Sequence, residues 1–331
     1  MMKIKKIAVS NGSMRKNQQG LTLVELMVAL TISIVISLAA MASLFIARQG
    51  FTTVDSSAQI RDNARFATAI MQRIINQSGF LDGDYAMQAG PSDFKIAGTT
   101  VNPEPTIRGF DNAKFTQALM LDGNGGTSAS YNNSDMLAVR YQAGGFDIAG
   151  GGTDNTMIGC SGIPSSTLPL TKDDRMVSVF HLQQDTATNE PSLMCSYLNG
   201  SGVYVTQPLV QGVESMQILY GVDGVTPNTA STAEKIVPTR YLKAAELTVP
   251  ANNVATNLNW SRVRTVKIAM VVRGPPGSSS NRNVPAQPLF GPMISPLTSL
   301  DPQLTFPAKT DGRLRQVINF TVKIRNDTDV L

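Results

Sequence analysis

The sequence predicts an α+β protein, in which one long N-terminal α-helix with a membrane half and an amphipathic half packs on a mainly antiparallel β-sheet head. Three observations predict it. Leu26–Ile46 is a run of 21 residues without a charge. Ile60, Ala64, Ala67, Met71 and Ile74 recur at three- and four-residue spacing, the period of one helix face. Farther along, Ile318, Phe320, Val322 and Ile324 alternate with Asn319, Thr321, Lys323 and Arg325, the two-residue period of a half-buried strand.

The chain begins with a basic leader. Lys3, Lys5, Lys6, Arg15 and Lys16 precede Gly20 with no acid among them. Without these five, 23 basic residues face 24 acidic ones, so the formal charge of +4 belongs to the leader. The body of the chain gives no support to nucleic-acid binding. Positive charge followed by an apolar helix is an export signal whose leader stays on the cytoplasmic side. At about 1.5 Å rise per residue, the run at Leu26–Ile46 is long enough to cross the roughly 30 Å hydrocarbon layer. An ordinary cleaved secretory signal is the alternative, with Ala39, Ala40 and Ala42 as small residues near its end. The run is longer than the usual core of such a signal. Glu25 stands alone at its head, where an ionised side chain costs free energy unless something pairs with it.

Past the membrane length the helix continues, with Arg61, Asp62, Arg65, Gln72 and Arg73 on its other faces and Gly79 placed to cap it. The expected organisation is a leader over 1–20, a transmembrane and assembly helix over 21–48, its amphipathic continuation over 49–79, and a β-rich head over 80–331. Hydrophobic content of 42% and a mean hydropathy of −0.03 fit a head with a core, not a multi-span channel. Strands are expected around Leu137, Val139 and Tyr141, around Val177 and Val179, and at Val203–Val205. Met216, Ile218 and Tyr220 precede a turn at Gly221–Gly224, and Val266, Ile268, Met270 and Val272 alternate like the last strand. The result is a largely antiparallel head with one wetted face. The Gly/Asn/Ser-rich stretches Asp122–Ser134 and Ala143–Asn155 read as loops. So does Gly274–Ala308, which holds eight of the 18 prolines and cannot be a central strand. A connection of that length is either a partner-binding surface or an exposed insert.

Cys160 and Cys195 are the only cysteines and both lie in the exported part. An even count outside the cytoplasm predicts one disulfide, and closing a loop of about 36 residues would stabilise the fold by about 3–4 kcal/mol. Two separate buried thiols are the alternative.

Gly20-Leu21-Thr22-Leu23-Val24-Glu25-Leu26, with basic residues upstream and the apolar helix downstream, resembles the prepilin processing site of the type IV pilin superfamily. The resemblance implies that a membrane aspartic peptidase cuts after Gly20 and methylates the new amino terminus at Leu21. Many members have Phe there, so Leu21 is a departure from the pattern. Met14 opens "MRKNQQG", a leader length common in the family, beside Met1 and Met2 as possible starts. In the mature chain Glu25 would be the fifth residue, one turn from a terminal amine that the helix macrodipole disfavours. It would neutralise its own terminus or that of a neighbouring subunit, and so fix the axial stagger, although desolvation cancels much of the gain. The alternative is a Glu that only reaches the interface.

Three later blocks, "LVQGVESMQILYGVDG", "WSRVRTVKIAMVVRG" and "GRLRQVINFTVKIRN", together with "RDNARFATAIMQRIINQSGF", resemble PilW-type minor pilins in order and spacing. Between residues 80 and 208 the likeness is looser, carried by "SDMLAVRY", "MIGCSG" and "SLMCSYLNG". The resemblance implies a pilin-like fold and a minor pilin that helps prime type IV pilus assembly near the tip. Its partners would be other minor pilins, the major pilin, the prepilin peptidase and a tip adhesin. It would reside in the bacterial inner membrane with its head in the periplasm, and then in the pilus at the cell surface. The J-type pseudopilin of type II secretion is the rival within the superfamily, although such chains are generally shorter.

A membrane-anchored periplasmic enzyme or binding domain is the rival of another class, and catalysis finds little footing. The only histidine, His181, lies between Phe180 and Leu182 in a strand pattern, and no CxxC, P-loop, GxSxG or HExxH occurs. Asp122-Gly-Asn-Gly-Gly faintly resembles a calcium loop but lacks its bidentate Glu. The tyrosines and Trp260 form no stacking stripe with basic residues. No cofactor and no metal are expected.

Overall fold

Helix α1 runs over Leu23–Gln77, 55 residues without a break. The computed structural model describes residues 20–83, 105–122, 130–146, 152–165, 174–231, 237–279, 281–291 and 304–326, with the short pieces 95–96, 99–100 and 168–169. The leader before Gly20 and most of the Asp122-Gly-Asn-Gly-Gly stretch lie outside them. The chain divides into two units, Met1–Phe51 and Thr52–Leu331.

In the second unit the helical spacing does what its period dictates. Ile60, Ala64, Ala67, Met71, Ile74 and Ile75 are buried, while Arg61, Asp62, Arg65 and Arg73 are exposed. The helix stops at Gly79, whose φ of 73° is the left-handed conformation that glycine enters without penalty. Its N–H donates to the Arg140 carbonyl at 3.0 Å, which anchors the helix end to a strand.

A short antiparallel pair, β1 (Lys95–Ile96) and β2 (Thr99–Thr100), precedes the main sheets. Then come β3 (Ile107–Phe110), α2 (Gln117–Asp122), β4 (Met136–Tyr141), β5 (Met176–Gln184), β6 (Pro191–Leu198) and β7 (Tyr204–Gln211). These five strands form one antiparallel sheet in the order β3-β4-β5-β6-β7. They are followed by β8 (Val213–Val222), β9 (Arg240–Leu242), α3 (Ala244–Leu247), α4 (Asn253–Ser261), β10 (Val263–Arg273), β11 (Gln287–Pro288), β12 (Thr305–Phe306) and β13 (Arg315–Lys323). The second sheet has the order β13-β10-β8-β9, again antiparallel. Leu137, Val139, Phe180 and Leu193 of the first sheet share one apolar cluster with Ile218, Val266, Ile268 and Met270 of the second and with the buried stripe of α1. Each such side chain contributes about 1.5–3 kcal/mol by leaving water.

The expectation of one wetted face fails for the first sheet, where Met136, Ala138, Val177 and Val179 form a second buried cluster with Ala113 and Leu119, and it fails likewise for the second sheet. Its outer-face residues Leu219, Ala269 and Val271 are covered by Leu289, Phe290, Leu304 and Phe306, and β8 is buried along its whole length. The cover is the proline-rich segment, expected as an exposed insert or a partner surface. In its described parts that segment folds back as the β11–β12 hairpin. Proline at the end of a two-residue strand removes no essential ladder bond, and the apolar side chains between the prolines gain more by burial than by exposure.

One residue joins the sheets. Gly212 lies between β7 and β8 with φ of 83° and donates its N–H to the Pro191 carbonyl at 2.8 Å, while its own carbonyl accepts from Arg273 N–H at 2.7 Å. A Cβ here would sit 2.7 Å from the Arg273 carbonyl oxygen. Around this corner three arginines meet three acids. Arg273 bonds Glu190 (2.8 Å) and Glu214 (3.2 Å), Arg313 bonds Glu190 (3.0 Å), and Arg315 bonds Glu214 (2.7 Å) and Asp311 (2.6 Å). The Arg315 guanidinium beside Asp311 holds that carboxyl down at about 2. Elsewhere Asp135, fully enclosed, stitches the sheets by accepting from Asn112 N–H (3.1 Å) and Ile218 N–H (2.8 Å).

His181 lies in β5, 1% exposed, stacked on Phe115 with ring centroids 5.1 Å apart. Its Nε2 is 2.8 Å from Ser196 Oγ, which in turn is 2.6 Å from Thr206 Oγ1. Burial lowers the imidazole to about 4.

Gly212→Ala should lower the stability of the folded chain by roughly 2 kcal/mol or more, since it adds both a disfavoured φ and a backbone collision; urea unfolding measures it. A second prediction concerns pH. From about 6.5 down to about 4 the unfolded chain takes a proton at His181 that the folded chain refuses, so stability falls as pH drops through this window. The loss from this group between pH 7 and pH 5 is roughly 2 kcal/mol, and His181→Gln should flatten the difference in urea midpoint between those two pH values.

Candidate functional site: the head of the N-terminal helix

Gly20 and Leu21 are exposed ahead of α1, and among the described residues nothing approaches within 4 Å of where a side chain on Gly20 would lie. One residue later the chain is locked. Thr22 N–H and Thr22 Oγ1 both donate to Glu25 Oε2 at 3.0 Å, and Glu25 N–H donates back to Thr22 Oγ1 at 3.3 Å. This is a reciprocal capping box, in which the residue before the helix and the third residue inside it satisfy each other's free donors. The expectation for Glu25 is a partner for a terminal amine or, as the alternative, a side chain that only reaches the interface. The cap is a second role that Thr22-x-x-Glu25 spelled out in the sequence. It engages Oε2 alone; among the described residues Oε1 receives no bond.

Downstream the helix surface is apolar all round. Leu26, Val28, Leu30, Ile32, Ile34, Ile36 and Leu38 are each more than half exposed. The helix is long and apolar enough to cross a membrane, with a mean hydropathy of 2.4 in its most apolar 18-residue window. Three of its hydroxyls are self-satisfied. Thr31 Oγ1 donates to Val28 O (2.8 Å), Ser33 Oγ to Ala29 O (2.7 Å) and Ser37 Oγ to Ser33 O (2.8 Å). Each donor turns back onto its own helix, which is the arrangement that an apolar solvent requires.

Cys160 and Cys195 lie in the second unit and are bonded to each other, with Cα atoms 5.9 Å apart. The bridge fastens the loop before β5 to β6. That loop grips the end of α1: Gln77 Nε2 donates to Ile158 O at 3.0 Å and Ile158 N–H donates to Gln77 Oε1 at 3.1 Å. Tyr141 Oη also donates to Ile158 O, at 2.8 Å, and burial pushes that phenol up to about 12. Gln77 gave no signal in the sequence beyond its place near a helix end.

Residues 179–326 match the family described as "Type IV Pilus-assembly protein W", and residues 15–41 match the "Prokaryotic N-terminal methylation motif". Among solved structures the chain is similar to a type IV-like pilin from Thermus thermophilus, at 12% identity and a TM-score of 0.39, over 81% of this chain and 98% of that one. No curated protein matches.

Thr22→Val removes the hydroxyl half of the cap and should cost about 1 kcal/mol of local helix stability. Hydrogen exchange at the amides of Val24 and Glu25, measured in detergent micelles, should then accelerate about fivefold.

Proposed function

We propose, from the premise that this chain is a type IV pilin-like minor pilin carrying a PilW domain, that it is a structural subunit that helps prime assembly of a type IV pilus near its tip. The observation that carries the reading is the order at the head of α1: an exposed Gly20–Leu21 bond, a Thr22–Glu25 cap, and then an apolar helix surface with no unsatisfied hydroxyl among Thr31, Ser33 and Ser37. The precursor inserts in the inner membrane with its basic leader in the cytoplasm and its head in the periplasm. Prepilin peptidase cuts after Gly20 and methylates Leu21, and the mature helix exchanges lipid for the helices of neighbouring subunits.

In that exchange Glu25 does two things. Through Oε2 it holds the first turn, and through Oε1 it meets the amine of Leu21 in its own or an adjacent subunit. Only a stagger that brings amine to carboxylate leaves no charge unpaired in an apolar medium. The partners are other minor pilins, the major pilin, the peptidase and a tip adhesin. Neither a catalytic role nor direct contact with nucleic acid is assigned. His181 is enclosed in the head and engaged with Ser196, which suits a structural role. The chain length of 331 residues favours the pilus over the shorter J-type pseudopilins of secretion.

Mass spectrometry of the mature terminus should find N-methyl-Leu21. Recovery of the chain with residues 1–20 attached, from cells with active prepilin peptidase, would refute the reading. In the same cells Glu25→Ala should leave cleavage intact and reduce incorporation into filaments; normal incorporation would remove the pairing role.

A further inference from the structure

The two main sheets have four edges, and three of them are blunted. β3 is four residues long and β9 three. β7 carries Pro208, and its pairing with β6 shifts register between Leu193 and Met194. Shortness, proline and bulges are the devices by which proteins stop an edge strand from recruiting another strand. β13 has none of these three, and of the charged residues that also blunt edges it exposes only Lys323, at its far end. It is nine residues long, contains no proline, and pairs with β10 in unbroken register from Arg273↔Arg315 to Thr265↔Lys323.

Which backbone groups of β13 are free follows from one bond. Ile324 N–H donates to Arg264 O at 2.9 Å, so the even-numbered residues of this strand turn toward β10. In an antiparallel ladder the alternate residues turn the other way. Val317, Asn319, Thr321 and Lys323 therefore present N–H and C=O groups along the open edge. Among the described residues none of those backbone groups has a partner outside the ladder with β10.

The side chains beside this edge say what it fits. Ile318, Phe320 and Ile324 pack against the main core but remain only partly buried, so the core runs out at the edge unfinished. At its far end Lys323 and Arg325 are exposed and make no ion pair among the described residues.

We propose that β13 is a docking strand, which takes up by β-augmentation an extended segment of another pilus subunit. The segment alternates apolar and polar residues, lays its apolar ones over Ile318, Phe320 and Ile324, and carries a carboxylate opposite Lys323 and Arg325. Main-chain bonds supply the attachment, and the alternation and the charge supply the choice of partner. Only the partner's identity as a pilus subunit rests on the function proposed above.

The test places a photo-crosslinking amino acid at Asn319 of the full chain in piliated cells and maps the product by mass spectrometry. The expected product joins residue 319 to an alternating, acid-containing segment of a different pilus subunit. Thr321→Pro removes an outward N–H without touching the ladder to β10 and should lower the cross-linked yield about tenfold, while Thr321→Val, which keeps the N–H, should not. Lys323→Glu with Arg325→Glu changes only exposed side chains; it should also lower the yield, and it decides the matter if the proline variant does not fold. Unchanged yield in the charge-reversed chain, a product with a second copy of this chain, or no product at all would overturn the docking strand. If Leu21 is methylated and the chain enters pili in those cases, the minor-pilin reading stands without it. A product with a protein outside the pilus, in cells where residues 1–20 remain attached, overturns both.

Discussion

One face of α1 has to be covered by two sheets at once, and the head is organised around that requirement. Ala64 and Ala67 are small enough to let strands approach the helix, while Ile60, Met71 and Ile74 fill the space on either side of them. The shared core exists only while the sheets keep a fixed relation. Gly212 makes the corner because no larger residue fits against the Arg273 carbonyl, and the arginines and acids around it tie the β5–β6 turn at Glu190 to the second sheet. Removing Glu190 would take from Arg313 its ion-pair partner among the described residues while Arg273 kept Glu214, and a largely buried charge left unpaired costs more than the pair is worth. Asp135 does the same work away from the corner with a carboxylate that accepts from backbone on both sides; burial pushes its pKa well above the usual range.

The first unit solves a different problem, that of an exposed and largely apolar helix surface. In the head, polar groups find partners across the fold. Between Thr22 and Ser37, every hydroxyl finds its partner within one turn of the same helix. A helix that closes its own donors in this way can leave lipid for a bundle of like helices without any polar rearrangement. Glu25 differs from these hydroxyls, since among the described residues only one of its two oxygens is bonded.

How much of this was legible depended on whether the signal was local. The stripe Ile60–Ile74 and the alternation through β8, β10 and β13 follow from period alone, and these elements lie where their periods put them. The Thr22-x-x-Glu25 box was equally plain but was masked by the stronger meaning of Glu25 in a processing site. In the proline-rich segment the prolines exclude a central strand but say nothing of Leu289, Phe290, Leu304 and Phe306, which cover the second sheet only once the chain has folded back on it. Gln77, and the small helix α4 that places Trp260 against Tyr220, depend on contacts far along the chain, which no sequence window contains.

The grip on Gln77 shows why the disulfide sits where it does. Two neutral hydrogen bonds between Gln77 and Ile158 are worth about 1 kcal/mol each. They would hold little if the loop bearing Ile158 could drift. Tyr141 bonds the same carbonyl, and two residues on, Cys160 is joined to β6 and donates its N–H to Ser178 Oγ at 3.1 Å. The loop is thus fixed to β4, β5 and β6 before Gln77 reaches it. For a head that closes on the last turn of α1 through Gln77, that order matters. A weak, directional clasp becomes a firm attachment when the partner it closes on has already lost its freedom to move.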